Sequence, residues 1–278
     1  MSAGESAANV AATAKVAAVT ELTMVEPAAT RPSVGARFWV AVGNQVFRLR
    51  DGLLPAVFCV LIVTTHATWP GGSRSWDRVL NLLGFELALA GQALRAIVIG
   101  LAYIRRGGKD RRVHADDLVI DGIFAHCRNP LYVGNLLALT GLLVIHNAAV
   151  AYLIGIPFFV LAYWSIVAAE EDFLVRRFGD AYRDYCRRVP RFTFSTRGLG
   201  STLAAFDFDW PRLLRKEYGA TFAGATAVLA TLAWDQFQIL GKPGLYASLP
   251  WMLTVWLQLV AAYLVVRRLK KSGRLGRG

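Results

Sequence analysis

Apolar residues in this chain fall in long blocks separated by short charged stretches. They neither alternate with period two nor trace a narrow helical stripe. Nearly uncharged runs occupy about 53–69, 79–104, 131–146, 149–169, 219–240 and 246–266. About 20 residues at a 1.5 Å rise cross the roughly 30 Å hydrocarbon core of a bilayer. The first and third runs are short, and the fifth is the weakest because it carries Asp235 and two glutamines. The pattern predicts an all-α fold, a polytopic membrane helix bundle with about six transmembrane helices. A composition of 55% hydrophobic residues and a mean hydropathy of +0.41 are too apolar for an ordinary soluble domain.

Charge adds an orientation. The net charge of +12 would suit a nucleic-acid binder, but the basic residues sit in alternate connections. Four fall in 31–50, six in 105–128, ten in 171–217 and six in 267–278, whereas the other connections hold only Arg74, Arg78 and Lys242. This is the positive-inside pattern, and it predicts an integral membrane protein with both termini on the cytoplasmic side. Basic charge then serves topology and contact with anionic lipid, and nucleic acid is not an expected partner. Cys59, Cys127 and Cys186 have no paired spacing, so neither disulfide nor metal is expected.

Four segments follow. Residues 1–35 are Ala-rich without a basic start and apolar core, and read as a disordered cytoplasmic tail instead of a signal peptide. Residues 36–83 hold an interfacial helix (37–50) and the first span, 84–195 the core that carries the chemistry, and 196–278 an amphipathic segment, two further spans and a basic tail. In the second span, Glu86, Gln92 and Arg95 are expected to satisfy one another within the bundle, although Arg95 is within about two turns of the loop beginning at Arg105.

The loop leads into LVIDGIFAHCRNPLYVG. A residue before proline is driven out of the helical region, so Asn129 is expected to be extended and a helix to start at Pro130. The amides of 131–133 would then be free at a helix N-terminus suited to a carboxylate or phosphate. Further on, Glu170 and Glu171 end a segment otherwise fit for lipid, where carboxylates cost several kcal/mol unless compensated. That helix is expected to run to Phe178, with Gly179 as its stop and Asp180 capping the next. The next helix, AYRDYCRRV, places Tyr182, Tyr185, Cys186 and Val189 on one side and reads as an interfacial helix over the site. His114 and His126 read as solvated loop side chains, and His146 as a marker of the opposite turn. A purely structural reading pairs Glu170 and Glu171 with Arg176, Arg177 or Arg128.

The string G-x-F-x-x-x-R-N-P-x-Y-x-G, followed by E-E-x-x-L-x-x-x-F-G-x-x-Y-x-x-Y-x-x-x-V-P-R-F, resembles the membrane superfamily of isoprenylcysteine carboxyl methyltransferases and phospholipid methyltransferases. The A-G-x-x-L-R string around Arg95 resembles its bacterial branch, which implies a bacterial inner membrane. The resemblance covers roughly 84–192 and implies S-adenosylmethionine as cofactor, bound on the cytoplasmic face. It also implies a lipid-like or amphipathic small-molecule acceptor entering from the bilayer. Carried over by position, Leu118, Val119 and Phe124 would line the nucleoside pocket. Arg128, Asn129, Pro130 and Tyr132 would form the cofactor loop, Gly134 would permit close helix packing, and Glu170 would hold polar groups of the cofactor. Glu171 would orient or deprotonate the acceptor.

Three positions depart from the usual family pattern: Phe124 replaces a usual tyrosine, Asn129 a usual histidine (asparagine also occurs there in bacterial members), and Ile166 stands where prenylcysteine enzymes have a substrate-holding arginine. Methyl transfer is an in-line displacement needing alignment and a fitting electrostatic surround, so no metal and no covalent nucleophile are expected. Two other classes compete: an NADPH-dependent enzyme like the sterol reductases, and a non-catalytic membrane protein that has kept the fold.

Overall fold

The computed structural model describes residues 33–101, 106–109, 112–115, 118–205 and 207–275. The expected tail therefore lies almost wholly outside the described residues. The chain divides into two units, residues 1–38 and 39–278. Of the first, only residues 33–38 are described.

Seven α-helices appear among the described residues. They are α1 (Val34–Thr64), α2 (Arg74–Leu101), α3 (Pro130–His146), α4 (Ile156–Phe178), α5 (Asp180–Arg188), α6 (Leu199–Ala205) and α7 (Trp210–Lys271). A π turn, Ala151–Gly155, leads into α4. The expected interfacial helix and first span form one continuous helix, α1. The fold is all-α as expected, with one short hairpin in a connection: β1 (Arg106–Lys109) pairs antiparallel with β2 (Arg112–Ala115), aligning Gly107 with His114. Helix α7 is two helices joined at Gly241, whose φ of 67° only glycine adopts without strain. Among the described residues, three helical stretches are long and apolar enough to cross a membrane, Arg74–Leu101, Ala151–Phe178 and Trp210–Lys271, and α3 is shorter but apolar. Their outward faces stay apolar, as with Leu82 and Leu89 on α2 and Leu153 and Leu161 along the π turn and α4. A large unpartnered apolar surface of this kind belongs in lipid.

Helix boundaries follow local chemistry. Asn129 is non-helical (φ −130°, ψ 52°), and α3 starts at Pro130 as expected. It ends at Asn147, which takes the left-handed conformation (φ 49°) while its amide donates to the Leu143 carbonyl at 3.0 Å. Helix α4 runs to Phe178 and stops at Gly179, φ 55°. Gly179, and not Asp180, occupies the cap position of α5. Asp180 lies in the first turn, where its charge suits the helix dipole, and pairs with Arg183 at 2.7 Å.

Three apolar clusters hold the bundle. One joins Phe47, Phe58 and Leu61 of α1 to Leu143 of α3 and to Phe159, Tyr163 and Ile166 of α4. A second joins Val98 and Leu101 to Ile123 and Phe124. The third packs Leu174 against Tyr182, Tyr185 and Val189. Both tyrosines of the expected interfacial helix are buried, so α5 turns its aromatic face into the protein. Burying a phenol requires a partner for its hydroxyl, and Tyr185 donates to the Phe124 carbonyl at 2.7 Å. Tyr185→Phe removes that bond and is expected to cost about 1 kcal/mol, read as a lowered thermal midpoint in detergent.

Candidate active site

The loop before α3 is fastened to the segment after α5. The Arg128 amide donates to the Pro190 carbonyl (3.0 Å), the Asn129 side-chain amide to the Arg191 carbonyl (3.1 Å), and the Ser195 amide to the His126 carbonyl (2.9 Å). His126 is buried between the Ser195 carbonyl (2.8 Å at Nδ1) and the Thr202 hydroxyl (2.9 Å at Nε2). It is a structural fastener, contrary to the solvated reading. A carbonyl accepts only, so Nδ1 carries a proton and donates to Ser195. His114 lies in β2, with its side chain outside the described residues. Burial pushes the Cys127 thiol up to about 11, against weaker pulls from the Asn129 amide and Arg128, so it stays protonated at neutral pH.

Of the three amides expected to be free, those of Tyr132 and Val133 donate to the Asn129 carbonyl at 3.1 and 3.2 Å. The helix terminus is therefore a poorer anion site than its sequence suggests. Only Leu131 among the three is left unengaged by that carbonyl.

Glu170 and Glu171 point in different directions, as successive residues on a helix must. Glu170 accepts from the Tyr132 hydroxyl at 2.6 Å and faces a cavity of about 750 Å³. Glu171 lies between two guanidiniums, Arg128 Nη1 at 3.1 Å from Oε1 and Arg191 Nη2 at 2.8 Å from Oε2. The Arg128 contact is an ion pair without hydrogen-bond alignment, since Oε1 is buried with no aligned donor. Arg128 also donates to Cys186 Sγ at 2.6 Å. Burial disfavours its charge, but Glu171, then Cys186 and Tyr182, more than offset this and raise its pKa above the ordinary value. Arg191 stacks over Trp164 at 4.4 Å. Arg176, one of the partners proposed from sequence, instead pairs with Asp172.

The cavity is bounded by Leu54 and Phe58 of α1, Gln92 and Arg95 of α2, Tyr163 and Glu170 of α4, and a row of small residues on α7, with Phe124, Asn129, Pro130, Tyr132 and Asn135 closing it. Arg128, Gly134 and Glu171 do not line it, and neither do Leu118 and Val119. The last two pack into different apolar clusters, Leu118 under α5 and Val119 beside Phe124. Gly134 faces α2: a Cβ there would meet the Gly91 carbonyl and Arg95 Cγ, each at 2.8 Å. Ile166 is fully buried in the core, away from the cavity.

Arg95 does not pair with Glu86, which is exposed. It donates from Nε and Nη2 to both carboxylate oxygens of Glu217 on α7 (2.9 and 2.7 Å), and from Nη1 to Asn135. Gln92 donates to Thr221 at 2.9 Å and to Glu217 at 3.3 Å. At the far end, His146 bridges Asp235 (2.7 Å) and the Thr65 hydroxyl (2.7 Å), so it is more than a turn marker. Glu217, Arg191 and Asn135 escaped sequence reading. Arg191 alone had a local signal, its place in V-P-R-F.

The phospholipid methyltransferase family matches residues 83–181, which include the Arg128–Glu171 and Tyr132–Glu170 pairs. The cobalt-zinc-cadmium resistance protein CzcN of Cupriavidus metallidurans is 30% identical over 169 residues, 58% of this chain and 71% of that protein. The nickel-cobalt-cadmium resistance protein NccN of Alcaligenes xylosoxydans is 28% identical over 141 residues, 49% of this chain and 59% of that protein. The protein-S-isoprenylcysteine O-methyltransferase of Schizosaccharomyces pombe is 36% identical over 142 residues, 43% of this chain and 58% of that protein. The chain thus spans under two thirds of the latter two. No solved structure matches it significantly. With the two-part motif, the apolar helices and these relatives in agreement, the chain belongs to the membrane methyltransferase superfamily of phospholipid and isoprenylcysteine methyltransferases.

Proposed function

We propose that this integral membrane methyltransferase uses S-adenosylmethionine to methylate a lipid-like or amphipathic small molecule. The observation that carries the reading is the Tyr132–Glu170 hydrogen bond on the wall of a 750 Å³ cavity, within the family-matched residues. The volume lies in the roughly 300–1,000 Å³ range of small-molecule sites. A carboxylate held by a phenol beside apolar walls suits a cationic cofactor with ribose hydroxyls. When bound, that cofactor supplies a methyl group on a sulfonium.

In this reading Glu170, oriented by Tyr132, holds the amine or ribose hydroxyls, and Phe124, Asn129 and Pro130 shape the pocket beside it. Gly134 lets α2 approach α3 closely enough for Arg95 to reach the cavity. Leu118 and Val119 support the pocket from behind. Arg128 and Glu171, with Arg191, fix the loop, so Glu171 orients the site without abstracting a proton. The apolar walls keep water from the transferring group, which makes the electrostatic surround more effective. Alternating basic connections support about six crossings, with both halves of α7 counted, and a site and termini on the cytoplasmic side.

The test is equilibrium binding to the purified protein in nanodiscs. Saturable binding of S-adenosylmethionine without binding of NADPH is the expected result. NADPH alone would move the chain to the reductase reading, and neither ligand binding to folded protein would leave a non-catalytic relative.

A further inference from the structure

We propose that this protein pairs with a second copy of itself in the bilayer, Glu86 on α2 of one copy meeting Gln258 on α7 of the other. The inference goes beyond the methyltransferase reading. It rests on insertion of every copy in the same orientation, which the alternating basic connections support.

Glu86 lies near the middle of α2, a helix of 28 residues, and is exposed without bordering the cavity. Leu82 and Leu89 share its outer face and are 60% and 51% exposed. A carboxyl group within a membrane-spanning segment almost always faces the bundle interior or a partner, because hydrocarbon offers it neither water nor a hydrogen bond. Among the described residues, Glu86 has neither an ion pair nor a hydrogen bond. Gln258 is a second such group. It is exposed, away from the cavity, without a partner among the described residues, and nine residues or about 14 Å from Arg267 at the basic end of α7. Nearby Thr254 differs, since its hydroxyl donates to the Pro250 carbonyl of its own helix at 2.8 Å.

Depth links the two groups. Gln92 of α2 bonds to Thr221, and Tyr263 packs its ring 4.8 Å from Phe222 and 5.2 Å from Tyr218, so Gln92 and Tyr263 lie level with the same stretch of α7. The contacts of Arg95 with Glu217 and of Lys270 with Arg215 set α2 and the last part of α7 both antiparallel to that stretch, hence parallel to each other. Counting back six residues from Gln92 reaches Glu86 about 9 Å along the membrane normal, and five from Tyr263 reaches Gln258 after about 8 Å. Two copies inserted the same way are related by a two-fold axis along that normal, which preserves depth, so only groups at matching depth can meet, and each pairing is made twice. A glutamine amide donates to a carboxylate and its oxygen accepts from a protonated carboxyl, so Gln258 satisfies Glu86 in either state. In the next turns toward the basic ends, both helices expose small residues, Ala90 and Ala93 on α2 and Ala261 and Ala262 on α7, which let two backbones approach closely.

The test is self-association of the full-length protein in phosphatidylcholine vesicles, read as energy transfer between donor-labelled and acceptor-labelled chains while the protein is diluted in lipid. Glu86→Ala and Gln258→Ala should each weaken association about tenfold, because either change removes both copies of the interhelical bond. The double variant should be no weaker than either single one, since the two side chains serve the same bond. Glu86→Gln should retain association, and Leu153→Ala, a lipid-facing change in the π turn, should leave it unchanged. Oxidative crosslinking gives a second readout in a Cys59→Ser background, which removes an exposed thiol. Differently tagged Glu86→Cys and Gln258→Cys chains should join to each other when mixed, and neither should join to itself. Energy transfer in the unaltered protein that falls to the level of random proximity, additive losses in the double variant, or crosslinking as strong in one variant alone as in the mixture would each overturn the proposal.

Discussion

Gly141→Ala is expected to stop α2 and α3 from packing and to leave little folded protein in detergent. A methyl group on Gly141 would sit 2.4 Å from the Gly84 carbonyl oxygen and 2.6 Å from the Ala88 amide nitrogen. The contact is reciprocal, since a Cβ on Gly84 would lie 2.6 Å from the Gly141 carbonyl. Two turns along, Gly91 and Gly134 repeat it, with a Cβ on Gly91 2.5 Å from the Gly134 carbonyl. Glycines spaced by seven on both helices therefore make one seam where backbone meets backbone, the arrangement small residues provide in membrane bundles. The obstructing atoms belong to helix backbones, which cannot yield as a side-chain tip can, so the helices must separate. Overpacking typically costs 1–3 kcal/mol, and an obstructed backbone places this case at about 3 kcal/mol or more. Gly219→Ala is the control, because its Cβ would meet nothing within 4 Å and alanine favours a helix by up to about 1 kcal/mol. Thermal unfolding in detergent gives the comparison. Equal midpoints for Gly141→Ala and Gly219→Ala would mean that the seam is not closed.

Of those glycines only Gly134 was marked for close helix packing, and that through the family resemblance; Gly84, Gly91 and Gly141 carried no local signal of the seam. Apolar blocks gave the helices, Pro130 the start of α3 and Gly179 the end of α4, because each is a local preference of a few residues. The family motif likewise marked Glu170, Tyr132 and Asn129, three residues that border the cavity. What an apolar face meets is another matter. In a membrane protein both lipid and the protein interior are apolar, so periodicity could not say that Tyr182 and Tyr185 turn inward or that α5 covers the loop. Of the long-range charge pairs, only Arg128–Glu171 was among the pairings the sequence offered. Arg95 finds Glu217 across 122 positions, and His146 finds Asp235 across 89. Asp235 read only as a blemish in the fifth apolar run, and Glu217 drew no reading, until the fold supplied each its partner. His126 failed for the same reason, its two partners lying 69 and 76 residues away.

Glu170→Gln is expected to weaken S-adenosylmethionine binding roughly ten- to a hundredfold while the protein still folds. Glutamine keeps the shape of the side chain and an oxygen for the Tyr132 hydroxyl, now 2.6 Å from Oε1, but removes the negative charge that faces the cavity. Hydrogen bonds to a charged group contribute about 1.5–3 kcal/mol, and 1.4 kcal/mol is tenfold in affinity. Two neighbours make the result interpretable. Glu86→Gln changes an exposed carboxylate away from the cavity and should leave binding intact. Glu171→Gln removes the charge between Arg128 and Arg191, so its main effect should be a lower thermal midpoint as the 126–129 loop loosens from 190–195. Adjacent carboxylates on one helix thereby separate into a ligand-facing group and a loop anchor, each with its own readout. If Glu170→Gln lowers the midpoint as much as Glu171→Gln and the remaining folded protein binds S-adenosylmethionine normally, Glu170 is a structural partner of Tyr132. The cofactor would then have to be sought elsewhere on the cavity wall.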